Sequence, residues 1–194
     1  MPLRTLIEPQ HSLKEILEIV KGEFSKASKL KLHPFKYVAL NTSNGERVNS
    51  RYVVLRKFTE KESFLIFTDA RSEKMADLSV KNNCSLLFFH DGKKLQVRVN
   101  GKAVVHQNNE VSQRYWNGVK GNSDKAYTSV LAPGEPIKHP EQAFAWNETL
   151  NDTHFVVLEI VPQEIDVLQL NRDQHIRARF SDFKDTLKAS FLVP

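Results

Sequence analysis

The residues best suited to chemistry lie in one run, Thr68-Asp69-Ala70-Arg71-Ser72-Glu73-Lys74. It follows an apolar stretch of strand character, Ser63-Phe64-Leu65-Ile66-Phe67, and leads into a helical one, Met75-Ala76-Asp77-Leu78-Ser79-Val80. A helix start carries unpaired backbone N–H groups and a partial positive charge. With Ser72 as N-cap and Lys74 in the first turn, this corner has the chemistry of a phosphate site. The plainer account is a capped surface helix whose charges are solvated. A second set of polar groups sits on apolar strands. In Arg51-Tyr52-Val53-Val54-Leu55-Arg56 the pleat sends Arg51, Val53 and Leu55 one way and Tyr52, Val54 and Arg56 the other. Gln96 and Arg98 share a face of a later strand. Basic and amide groups on half-buried strands cost free energy unless paired. Protein carboxylates or an exposed sheet edge would satisfy them in the plain case. A phosphorylated, hydrogen-bonding ligand lying across the sheet would satisfy them in the other.

Other chemistries find no support. Seven histidines are present, none in an H-x-H or H-E-x-x-H spacing, and Cys84 is the one cysteine. That excludes an intramolecular disulfide and a thiolate zinc cluster, so no metal is expected. There is no G-x-S-x-G elbow, no phosphate-binding G-x-x-x-x-G-K-[ST] loop and no G-x-G-x-x-G fingerprint. The carboxylates Glu60, Glu62, Glu73 and Asp77 have ordinary surface spacings and read as solvated. The net charge of +5, with basic residues gathered between Arg47 and Lys57, suits either nucleic acid or a phosphorylated small molecule. Aromatic residues do not interleave with the basic ones as in single-strand readers, so a nucleic-acid partner is not expected. No apolar run approaches membrane-spanning length and no signal-peptide core follows Met1, so a cytoplasmic protein without a membrane partner is expected.

The elements that must position these residues are legible in outline. Leu13, Ile16, Leu17, Val20 and Phe24 mark a packing helix over residues 12–27, with Ser12 and Glu15 as its capping box. Strands are expected at 37–42 and 51–56, around the Asn44-Gly45 turn, and at 62–68. A helix follows from about Ser72 to Lys81. The next strands, 84–90 and 95–105, join at Asp91-Gly92, and Gly101 signals a bulge or a close backbone approach. Residues 109–118 read as a helix. Residues 121–151, rich in Pro, Gly, Asn and Ser, read as a long loop or lid. Strands resume at 154–161 and 165–170, with Pro162-Gln163-Glu164 as the turn, and at 175–180 and 187–192. About eight short, mostly antiparallel strands in 194 residues imply a single mainly β domain, a sandwich or a barrel, with added helices.

The blocks Arg51 to Arg56, Phe67-Thr68, Ser72-Glu73-Lys74, Leu86-Leu87-Phe88-Phe89 and Gln96 to Ala103 follow one another at a familiar spacing. Tyr115-Trp116, His175 to Phe180 and Phe191-Leu192-Val193-Pro194 follow more loosely. In this order they resemble the pyridoxamine 5'-phosphate oxidase-related family of flavin mononucleotide (FMN) split barrels. The Thr-Asp-x-Arg-Ser-x-Lys block and the Ala132-Pro133-Gly134-Glu135-Pro136 loop are closer to its oxidase-like subgroup than to the vitamin B6 enzyme. The resemblance implies a single split β-barrel, antiparallel and Greek-key-like, over residues 1–194. It implies FMN as cofactor, a small-molecule substrate, hydride transfer without a side-chain nucleophile, and a homodimer with its sites at the interface. Arg51 and Lys74, helped by Ser72, would hold the FMN phosphate. The backbone through Val53, Val54, Leu55 and Arg56 would run along the flavin ring, and Phe67 and Thr68 would flank the ribityl chain or the ring. Gln96 would hydrogen-bond the flavin, and Arg179 would reach it from the neighbouring subunit.

The departures fall mainly on the substrate side. His175 and Arg177 stand where the B6 enzyme has an Arg-x-His pair, Val119-Lys120 near its phosphate-binding Arg, and Ala132-Pro133 near its Gln-Ser pair. Tyr115, Ser123, His175 and Arg177 remain candidate substrate contacts. Glu73 replaces an Arg of the phosphate motif, so it is expected to turn away while Arg71 supplies the charge. A genuine pyridoxamine/pyridoxine 5'-phosphate oxidase and a non-catalytic flavin- or haem-binding module stay open as alternatives.

Overall fold

The first helix, α1 (Leu13–Lys29), is shaped by its apolar stripe and closed at its start by the expected capping box. Glu15 N–H donates to the Ser12 hydroxyl and Ser12 N–H to the Glu15 carboxylate, at 3.3 and 2.8 Å. In this computed structural model, which describes residues 5–119, 124–146, 151–183 and 186–194, the stripe is inserted into a curled sheet. Phe24 is fully buried, with ring centroids of Phe35, Phe58, Phe64 and Phe88 between 4.8 and 6.0 Å away. Each such ring contributes roughly 1.5–3 kcal/mol of burial.

The sheet has nine strands: β1 (Tyr37–Ser43), β2 (Val48–Val54), β3 (Lys57–Phe58), β4 (Phe64–Asp69), β5 (Asn83–His90), β6 (Leu95–His106), β7 (Phe155–Gln169), β8 (Ile176–Ser181) and β9 (Lys188–Leu192). Their order is β2-β1-β5-β6-β7-β4-β3, with β8 on the second half of β7 and β9 beyond it. All strand pairings among the described residues are antiparallel. The curled sheet is the split-barrel half-barrel expected from the resemblance, with α2 (Glu73–Val80) packed on its inner side through Leu78 and α3 (Glu110–Val119) on its outer side. Trp116 and Val119 of α3 cover Leu65, Phe155 and Val157 and fix Tyr127 in a second, smaller apolar cluster.

Three expectations are corrected. Residues 154–170 are one strand, not two around a Pro162 turn. Pro162 pairs opposite Gly101 and Glu164 opposite Asn100, so Gln163 is the extra residue of a bulge. A bulge is where a strand tolerates a residue without an N–H. Asp91-Gly92 is part of a 3-10 turn over Asp91–Lys93 that ends in left-handed Lys94, φ 52°, rather than a two-residue turn. The short β3 was not foreseen, because two residues carry no readable period. Within the 121–151 loop, residues 124–127 and 140–143 form 3-10 turns, and Ser129 and Trp146 form an isolated bridge.

The strand order leaves β2 and β3 as the two ends of the sheet. Curling brings β2 against β4, and the Arg56 N–H donates to Leu65 O at 2.9 Å. Past that bond the facing edges of β2 and β4 have no ladder partner among the described residues. This is the split in the barrel.

The close approach expected at Gly101 is present: a Cβ there would collide with the Val161 carbonyl oxygen. Gly101→Ala is expected to destabilise the fold by about 1–3 kcal/mol. Urea denaturation measures it, and an unchanged midpoint would mean that the β6–β7 crossing relaxes freely.

Candidate functional site

One wall of the split is the β4–α2 corner. Ser72 occupies the N-cap position, but its hydroxyl donates to Asp69 O at 2.7 Å instead of capping the helix. Lys74 folds back over this turn. Its ammonium donates to the Thr68 hydroxyl at 2.8 Å and to the Ser72 hydroxyl at 2.9 Å. Thr68 and Ser72 are buried and Lys74 is half-buried.

The other wall is β2. Arg51 pairs across to Leu40, a fully buried residue, so its side chain points to the inner side of the sheet. One guanidinium nitrogen donates to Thr42 Oγ1 at 2.5 Å, and another lies 3.6 Å from the Asp77 carboxylate. Asp77 accepts from Thr42 at 2.6 Å and from Asn49 at 3.0 Å. Burial would raise its pKa, but these bonds and Arg51 outweigh burial and hold the carboxyl below its usual range. Asp77 is therefore a buried anchor for Arg51 and not the solvated carboxylate expected. The reason is tertiary packing: Asp77 and its neighbour Leu78 are the buried residues of α2, at the end of the helix that packs against β1.

The charges at this corner decide what it can hold. Arg47 pairs with Glu73 at 3.2 Å, so Glu73 turns away as expected. Arg71 does not supply the missing charge. It makes a bidentate pair with Asp69 and donates to Ser129 O and Val130 O, clamping the long loop. Lys74 has no ion pair among the described residues. Its pKa is lowered, first by burial and then by the positive charge of Arg51. Two cations thus face one another with Asp77 as the close carboxylate partner of Arg51 alone. An anion between them would relieve both the desolvation and the repulsion.

At the other end of the split, Leu55 is fully buried in the core, so the chain from Val53 to Arg56 offers mainly backbone there. The Arg56 guanidinium lies 5.4 Å from the Phe67 ring centroid and donates to the Tyr127 hydroxyl at 3.2 Å. Its Nε is buried without a hydrogen-bond partner. Lys36 lies close enough for Arg56 to lower its pKa, after burial. Tyr115 packs on Phe67 at 5.4 Å between centroids. Val53 and Val54 are half-buried beside them.

The remaining candidates lie elsewhere. Gln96 pairs across to Phe89 and Leu168, and Leu168 to Arg177; Arg98, Asp166 and Arg179 form the adjacent row. Both rows are on the outer face of the sheet, opposite to Arg51. Within one chain the structure does not bring Gln96, Arg177 and Arg179 to the split. His175 is exposed just before β8, and Ser123 lies outside the described residues. Sequence reasoning missed Thr42, Asn49, Tyr127, Lys36 and Asp166. Of these, Thr42 and Asn49 carried a signal: they pair across the Asn44-Gly45 hairpin, and Thr42 falls on the same side of β1 as Val38 and Leu40. No group of three metal-ligating side chains occurs among the described residues.

Inorganic phosphate is expected to raise the melting temperature of the protein, and to raise it less in Lys74→Ala. Equal increments by differential scanning fluorimetry would remove Lys74 from any anion site.

Comparison with known proteins gives this geometry a context. The family model for the pyridoxamine 5'-phosphate oxidase FMN-binding domain matches residues 18–107. Among curated relatives, pyridoxine/pyridoxamine 5'-phosphate oxidase 1 of Arabidopsis thaliana is 28% identical over 116 residues, 60% of this chain and 22% of that protein. The pyridoxine/pyridoxamine 5'-phosphate oxidase of Leptospira interrogans is 34% identical over 92 residues, 47% of this chain and 41% of that protein. The chain thus matches less than half the length of either relative. Two solved structures share the fold across nearly their whole length. PhzG from Burkholderia lata, in complex with tetrahydrophenazine-1-carboxylic acid, has TM-score 0.77 and 18% identity over 97% of this chain and 98% of that one. A pyridoxamine 5'-phosphate oxidase-related, FMN-binding protein from Nostoc punctiforme has TM-score 0.71 and 18% identity over 97% and 99%. Residues 18–107 carry the FMN-binding-domain pattern of the pyridoxamine 5'-phosphate oxidase family, and the chain folds as that family's split barrel.

Proposed function

We propose that this protein is an FMN-binding flavoprotein that acts as an oxidoreductase on a small molecule, as a homodimer. The carrying observation is the pair Arg51 and Lys74, half-buried cations facing each other across the split, with two hydroxyls and a helix N-terminus beside them. That donor set fits a phosphate dianion. The unpaired edges of β2 and β4 fit a flat group with hydrogen-bonding edges, and the buried, unpartnered Nε of Arg56 fits a further acceptor. FMN, when bound, supplies the two-electron redox chemistry. The chain's part is to hold the phosphate with Arg51, Lys74, Thr68 and Ser72, and to border the ring with residues 53–56 and Phe67. Arg56 would set the charge beside it.

The division of the expected site between two faces of the sheet supports the dimer reading. Gln96, Arg177 and Arg179 can join Arg51 and Lys74 only from another chain. The outer face that carries them also exposes Tyr37, Tyr52, Leu87 and Phe89, an apolar area suited to burial against a second copy. A cytoplasmic setting goes with this reading. Cys84 is a free thiol pushed up to about 12 by burial, and no described helix is long and apolar enough to cross a membrane.

Oxidation of a vitamin B6 phosphate is a second reading, favoured by the curated relatives. Anaerobic mixing with pyridoxamine phosphate separates the two: bleaching of the flavin absorption would support it, and an unbleached spectrum reduced by another donor would oppose it.

Lys74→Ala is expected to weaken FMN by about 10- to 100-fold, the worth of a charged hydrogen-bonding contact, and riboflavin little. Equal losses would sink the phosphate assignment. Phosphate binding must raise the lowered pKa of Lys74, so binding takes up a proton wherever free Lys74 is partly neutral. FMN affinity is therefore flat from about pH 7, where the phosphate is a dianion, up to that lowered pKa and falls as pH rises through it, while riboflavin affinity does not follow; titration calorimetry across alkaline pH checks this. Mixing Lys74→Ala and Arg179→Ala chains should restore one intact FMN site in each mixed dimer, and a purified mixed dimer without FMN would contradict the shared site.

A further inference from the structure

Asp166 lies within β7, between Arg98 of β6 and Arg179 of β8 in one cross-strand row. Its side chain is 4% exposed, yet it accepts from three guanidinium groups. Arg177 binds it through two nitrogens at 3.1 Å, one to each oxygen; Arg179 binds at 3.2 Å and Arg98 at 3.4 Å. One bidentate arginine already satisfies a buried carboxylate. Two more bring a surplus of positive charge to a single spot. Glu164, 3.5 Å from Arg179, offsets part of it, leaving three cations to two anions. The Nε of Arg98 is buried without a hydrogen-bond partner. The three arginines remain 28% to 41% exposed on the outer face.

We propose that Asp166 is the positioning residue for the half of the site that a partner subunit supplies: it gathers Arg98, Arg177 and Arg179 into one fan and aims Arg179 away from its own sheet. The proposal rests on the dimeric flavin reading above. Without a central carboxylate three guanidinium groups would repel one another and spread over the open face. The backbone ladders that hold β6, β7 and β8 together do not depend on this side chain.

The test pairs differently tagged chains and measures FMN bound per purified dimer. An Asp166→Asn homodimer is expected to bind FMN about tenfold more weakly, from the loss of one oriented charged contact. Adding Arg179→Ala should cost little more, because Asp166 acts through Arg179. A mixed dimer of Asp166→Asn and Lys74→Ala chains should regain one tight site, since one pocket then holds an intact Lys74 and an intact partner fan. A mixed dimer that gains none, while Lys74→Ala with Arg179→Ala does, would overturn the proposal and leave the shared site standing. Failure of both mixtures would overturn the shared site and the proposal with it. Losses that simply add, or an unchanged affinity with a lower melting temperature, would make Asp166 a sheet stabiliser and also overturn the proposal. Asp166→Glu, which keeps the charge one methylene away, is read in the same pairing if the Asn chain does not fold.

Discussion

The sheet nearly closes, and the incompleteness of that closure governs the rest of the structure. α1 fills the interior with Phe24 and its aromatic neighbours, so the walls cannot collapse on one another. Between β2 and β4 the backbone bond from Arg56 to Leu65 fixes the approach. Beyond it two strand edges face each other without pairing. Polar backbone left in this way needs water or a ligand to satisfy it. The side chains at the split are of the kinds that answer a ligand: cations at both ends, hydroxyls at the α2 corner, rings at the Arg56 end.

Charge at the α2 corner is selective in a way that burial alone does not explain. Arg47 and Arg71 each have a carboxylate within 3.2 Å. Lys74, the more enclosed cation, has hydroxyls instead. A lysine held against burial and against Arg51 is a cost to the fold, and one that a bound anion would remove. By contrast Arg71 serves the loop: its hold on Ser129 and Val130 ties the strap beside the β4–α2 corner to Asp69.

What the sequence disclosed follows from what its patterns encode. Local periods and turn chemistry gave α1, the hairpin at Asn44-Gly45 and the bulge at Gly101, because each is decided within a few residues. The β4–α2 corner was legible for the same reason: Thr68, Ser72 and Lys74, which it brings together, are neighbours in the chain. Asp77 was not, because whether a carboxylate at a helical position is solvated or buried depends on what packs against that face. Arg71 looked like a ligand residue, since nothing local reveals that the 129–130 carbonyls come to meet it. Pro162 looked like a turn, since proline interrupts a strand except at an edge or a bulge, and nothing local reveals the bulge at Gln163; the partner Gly101 is sixty-one residues earlier.

The residues that resemblance assigns to one site lie on two faces of one sheet, and this is a physical constraint on the assembly. No rotamer carries Arg179 through a layer that contains Val97, Val99 and Ala178, all essentially buried. Either the outer-face group serves something other than the flavin, or a second chain presents it. The outer face itself argues for the second chain. Its β2–β1–β5 end is apolar, with Tyr52 beside Ala39 and Leu87, and its β7–β8 end is charged around Asp166. Two-fold pairing would let the apolar end bury area while the arginine end reaches into the neighbour's split, so the same contact would build the interface and complete the site.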